Sequence, residues 1–100
     1  MIKNDRLRYR SPITGKIKSS LFLEYYLAAM LLDLNELDCG KVVHSILLNE
    51  LYGEDNPPEV GPKALAVYYA VTADLEVKGG EWLESCKRNK KNSDMKNNVP

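Results

Sequence analysis

Ser20-Leu21-Phe22-Leu23-Glu24-Tyr25-Tyr26-Leu27-Ala28-Ala29-Met30-Leu31-Leu32-Asp33-Leu34 is the stretch whose reading decides the fold. Leu23, Tyr26, Leu27, Met30 and Leu34 recur at the i, i+3, i+4 spacing of one helical face. The spacing predicts a helix over residues 20–33, with the Ser20 hydroxyl placed to accept a free backbone N–H of the first turn. Leu21, Phe22, Ala28, Ala29, Leu31 and Leu32 make the remaining sides apolar as well. A helix that is apolar nearly all round belongs at the centre of a core or against a second subunit, so a homodimer is one expectation. The run is too short to cross a membrane, and Glu24, Asp33 and two tyrosines interrupt it.

Downstream, Asn35 is placed to cap a second helix, with Glu36 and Asp38 at its positive end. Val43, Ile46, Leu47, Glu50 and Leu51 form its stripe, Glu50 marking the edge of the buried face. This helix should run to about Tyr52, where Gly53 is a good stop. Gly40 inside it costs about 1 kcal/mol relative to Ala, and close approach of a neighbouring helix is a physical reason to keep it. Glu54 to Gly61, with Pro57-Pro58, reads as a loop. Pro62 suits the first turn of a third helix, whose inner side carries Leu65, Tyr68, Tyr69, Thr72 and Leu75 or Glu76, with Ala64, Val67 and Val71 close by. Gly79-Gly80 should break or kink it after Lys78, leaving Glu81 to Lys91 as a fourth helix. Residues 92–100 read as a disordered polar tail.

Upstream, residues 1–18 form a basic arm. Leu7, Tyr9 and Ile17 alternate with charge, and Ser11-Pro12-Ile13-Thr14-Gly15 has turn chemistry, so a short β-hairpin and an extended arm are both compatible with the pattern. The fold class is therefore all-α: a bundle of three to four helices over residues 19–91, with a short N-terminal hairpin as an option.

The net charge of zero conceals a segregation. Six cations face one acid in residues 1–18, twelve acids face three lysines in 19–84, and five cations face one acid in 85–100. The ends should fold back on the acidic middle; the alternative is a charged surface for a partner. Candidate contacts to nucleic acid or another partner are Arg6, Arg8, Tyr9, Arg10, Lys16, Lys18, Lys87, Arg88, Lys90 and Lys91. A candidate acidic face comprises Glu36, Asp38, Glu50, Glu54, Asp55 and Glu59.

Catalytic chemistry finds no footing. His44 is the lone histidine, and Cys39, five residues earlier, points away from it on a helix. Cys39 and Cys86 lack metal-ligand spacing, and the carboxylates lack the pattern of a calcium loop. Thr14-Gly15-Lys16 lacks the first glycine and the following Ser or Thr of a phosphate loop. No enzyme, cofactor or metal is expected. The N-terminus, Met1 to Arg6, has no apolar stretch of signal-peptide type, which suggests a cytosolic protein.

Residues 21–92 carry a set of features that resembles a family of small, uncharacterised phage and prophage proteins often encoded among replication genes. These features are Tyr25-Tyr26 in the first helix, Leu37-x-x-Gly40, Leu51-Tyr52-Gly53-Glu54, Pro58-Glu59, and Cys86-Lys87-Arg88-Asn89-Lys90-Lys91-Asn92. The basic segment 1–18 and Gly79-Gly80 depart from it. The resemblance implies action in the cytoplasm of a bacterial host and supplies no catalytic residues. Three functions follow as expectations. The first is a non-catalytic accessory protein that binds and inhibits a host protein machine, for instance a nucleic-acid-handling or defence system, in the manner of an anti-CRISPR. The second is a replication accessory that binds nucleic acid through the basic ends. The third is a small-ligand sponge.

Overall fold

The computed structural model describes residues 6–97, with side chains through Asn89. Three helices follow in order: α1 (Tyr25–Leu32), α2 (Glu36–Tyr52) and α3 (Pro62–Asn97). The all-α fold is as the periodicity predicts.

The boundaries of α2 follow the capping signals. Asn35 Oδ1 accepts the Asp38 N–H at 2.8 Å, and Gly53 ends the helix in a left-handed conformation at φ 70°. Pro62 opens α3. The core joins Leu27, Leu31 and Leu34 to Val42 and Ile46 of α2 and to Ala64, Val67, Tyr68, Val71 and Leu75 of α3. On α2 the buried stripe is Val42, Ser45, Ile46 and Glu50, one residue round from the expected one, and Leu47 is exposed. On α3 Tyr69 faces outward.

Several expectations need correction. α1 starts at Tyr25, and residues 21–24 before it are not helical. Ser20 caps nothing; the N-cap is Glu24, whose carboxylate meets Lys78 at 3.1 Å and makes no capping bond. Backbone pairing of Lys18 N–H with Tyr9 C=O at 3.1 Å ties the approach to α1 to the arm. Nor is α1 central: it buries only Leu27 and Leu31, whereas α3 buries Ala64, Val67, Tyr68, Val71 and Leu75. Gly40 is exposed, and a Cβ there would meet nothing within 4 Å, so no helix approaches it.

The largest revision concerns Gly79-Gly80. α3 passes through both without interruption and continues to Asn97, so among the described residues there is no fourth helix; residues 92–97 extend α3, and 98–100 lie outside the described residues. Good helix formers on either side outweigh a glycine cost of about 1 kcal/mol each. Gly79 has its own reason to be glycine: the buried Tyr9 ring lies where its Cβ would be. Gly80 has no such neighbour.

The arm forms a turn of hairpin type. Ser11 N–H donates to Lys16 C=O at 2.8 Å, and the buried Ser11 hydroxyl accepts from Thr14 N–H at 3.2 Å. Gly15 supplies the left-handed residue at φ 73°. One antiparallel bridge, Arg10 with Ile17, closes the turn, and among the described residues no strand forms.

Glycine substitution separates these roles. Gly79→Ala should destabilise the fold by about 2 kcal/mol, because the buried Tyr9 ring must shift. Gly80→Ala and Gly40→Ala should each stabilise it by up to about 1 kcal/mol. Urea denaturation of the three variants checks this, and a neutral Gly79→Ala would contradict the packing.

Candidate protein-docking surface

The basic arm is clamped onto the helices. Arg8 N–H donates to Leu51 C=O at 2.7 Å, and its guanidinium reaches the Asn49 carbonyl at 3.2 Å, Asn49 Oδ1 at 3.0 Å and Glu76 at 3.0 Å. α2 has no basic residue in its last turn. Arg8 therefore supplies from outside the cation that a helix C-terminus favours; its N–H bonds the Leu51 carbonyl, and its guanidinium shares the Asn49 carbonyl with the Gly53 N–H. Arg6 meets Glu54 at 3.4 Å and lies over the Tyr52 ring.

Behind Arg8 lies a buried charged pair. Lys18 Nζ sits 3.7 Å from Glu50, and both side chains are largely enclosed. Arg8 and Lys18 each lie 5.2 Å from the Tyr9 ring centre. Burial pushes the Glu50 carboxyl above its usual range, against the opposing pull of Lys18 and Arg8. Burial likewise raises Tyr9, with Glu50 adding to it.

Of the basic candidates, Arg6, Arg8 and Lys18 thus pair with acids of the helical body. Tyr9 is core, and Arg10 bonds the Gly15 carbonyl at 3.3 Å. Lys16 and Arg88 are exposed, and Lys87 pairs with Glu84 at 3.5 Å. The side chains of Lys90 and Lys91 lie outside the described residues.

The acidic candidates do not share one face. Glu36 and Asp38 open α2, whereas Glu50 is buried roughly 20 Å further along it. Glu54 holds Arg6, and Asp55 accepts from the buried Tyr68 hydroxyl at 3.3 Å. Glu59 is exposed in the loop.

Two hollows flank the arm. One, about 170 Å³, is walled mainly by apolar atoms of Leu7, Ile17, Leu21 and Leu51; ligand sites usually span roughly 300–1,000 Å³. The other, about 470 Å³, is an open groove whose polar groups Arg8, Asn49 and Glu76 already bond one another. His44 is exposed, Cys39 and Cys86 are half-buried, and among the described residues no group of three or more His, Cys, Asp or Glu could hold a metal ion. No described helix is long and apolar enough to cross a membrane.

The feature that stands apart is the outside of α1. Leu27 and Leu31 face the core; Tyr25, Ala29 and Leu32, at i, i+4 and i+7, lie on the opposite side in solvent, flanked by Tyr26 and Met30. The helix carries no charge from Tyr25 to Leu32. Its ends carry one ion pair each to α3: Glu24 with Lys78 at 3.1 Å, and Asp33 with Lys63 at 2.8 Å. Phe22, before the helix, is exposed with Lys78 over its ring at 4.7 Å, and Leu37, just after it, is exposed on α2. None of these residues is among the charged candidates named from the sequence. The signal that finds them is the missing polar side of α1. No family model matches the chain, and no curated protein or solved structure matches it either.

The Lys18–Glu50 pair makes two measurable claims. Lys18→Met should cost about 3 kcal/mol by stranding a buried carboxylate, and Lys18→Met with Glu50→Met should recover most of it. A carboxyl whose pKa is raised by folding contributes stability that is full below its unfolded pKa and is lost as pH rises through the folded one. The stability of the native chain relative to Glu50→Gln should therefore fall as the pH rises from about 4 upward. Urea unfolding across that range checks the sign; a rise would contradict the burial of Glu50.

Proposed function

We propose that this chain is a non-catalytic accessory protein that acts by docking to protein through the outer face of α1. The observation that carries this reading is an uncharged helix with two tyrosines, a leucine and an alanine turned to solvent. A surface helix normally shows water a polar side, and one that does not is usually covered. Tyrosine suits such a face, since it offers a large rigid contact area and a polar tip.

The likeness of residues 21–92 to phage and prophage proteins gives the proposal its setting. In that setting the target is a host protein machine in the bacterial cytoplasm, one that handles nucleic acid or serves defence. Inhibition would come from occupancy and not from chemistry.

Binding of nucleic acid through the basic ends is the weaker reading. Arg6, Arg8 and Lys18 are paired with Glu54, Glu76 and Glu50, so a phosphate would have to compete with contacts that hold the arm in place.

Affinity capture from a bacterial lysate tests the proposal. Tagged native chain should retain a stoichiometric protein that Leu32→Asp loses, while Lys16→Ala and Arg88→Ala retain it. Equal capture by Leu32→Asp would refute the role of α1.

A further inference from the structure

We propose that the occupant of the α1 face is a second copy of this chain, two α1 helices packing antiparallel about a two-fold axis. The inference rests on the reading of α1 as a protein-docking face; in the two-chain form that face is closed, and a host target reaches it only when the copies part.

The area is sufficient. A fully open large side chain offers roughly 200 Å². Exposures of 94 % at Tyr25, 61 % at Tyr26, 84 % at Leu32 and 37 % at Met30 then leave roughly 550 Å² on α1. Two copies then bury roughly 1,100 Å², above the roughly 1,000 Å² that a specific interface should clear.

The chemistry of the face favours a copy of itself. A two-fold interface sets the same patch against itself, so any net charge on it would repel. The face of α1 has none. In an antiparallel register that places Tyr25 across from Leu32 of the other copy, a large ring meets a branched aliphatic. The small Ala28 and Ala29 fall near the axis, where helices approach most closely. The same register sets Glu24 across from Asp33 of the other copy. Asp33 arrives with Lys63, and Glu24 with Lys78, which Asp74 also holds at 2.6 Å. Each end of the helix pair then gathers three carboxylates and two ammonium groups, so the uncharged middle of the face, and not its ends, carries the pairing. The helix dipoles also run opposite to each other.

Sedimentation equilibrium of the full chain tests this. At about 100 µM, well above the micromolar dissociation constants common for interfaces of this size, the native protein should show twice the mass of one chain. Leu32→Asp and Tyr25→Glu should each show the single mass with unchanged helical circular dichroism, because both side chains lie in solvent in one chain. A single mass for the native protein overturns the proposal, and so does a doubled mass for both variants. If the native protein is single but still captures a different protein that Leu32→Asp loses, the second copy is overturned while the docking role of α1 stands.

Discussion

Everything functional in this molecule follows from the fact that one helix, α3, serves as the packing surface for both others. It meets α2 with Val67, Tyr68, Val71 and Leu75 available along one long apolar side, and it meets α1 through Leu27 and Leu31. α1 touches α2 as well, yet it buries only the side that carries Leu27 and Leu31. In α1 the remaining sides are apolar too, so the fold leaves uncovered a surface that the hydrophobic effect disfavours in water. The ion pairs at Glu24 and Asp33 fix the ends of α1 on α3 and keep that surface turned outward.

The arm solves a different problem. α2 ends with open carbonyls and no cation of its own, beside a buried carboxylate, Glu50. The Arg8 N–H bonds the Leu51 carbonyl, Lys18 pairs with the carboxylate, and Tyr9 fills the space that Gly79 leaves on α3. The positive charge of Arg6, Arg8 and Lys18 is thus structural. The segregation of charge along the chain becomes a contact between the basic arm and the acidic body, which is the folding-back that composition suggests.

Much of the architecture is legible before any coordinates. Asn35, Gly53 and Pro62 bound their helices because caps act through local backbone groups. What escapes local reading depends on contacts distant in sequence. Gly79-Gly80 looks like a break until Tyr9, seventy residues earlier, is seen packed against it. Ser20 looks like a cap, yet Glu24, held by Lys78, opens the helix. Arg8 and Lys18 look like ligands for phosphate until their partners Glu76 and Glu50 come alongside. The candidate surface was half visible. The all-round apolar character of α1 is plain in its residues, but which residues remain outside depends on how α3 meets it.

The central claim is that the outer face of α1 is a covered surface in the working protein. Hydrogen exchange of the Tyr25–Leu32 amides over a dilution series tests it directly. A short helix held on one side opens readily and exchanges fast, whereas one held on both sides is protected. Protection of these amides should rise with protein concentration while that of α2 stays constant. Fast exchange in α1 at every concentration would contradict the claim.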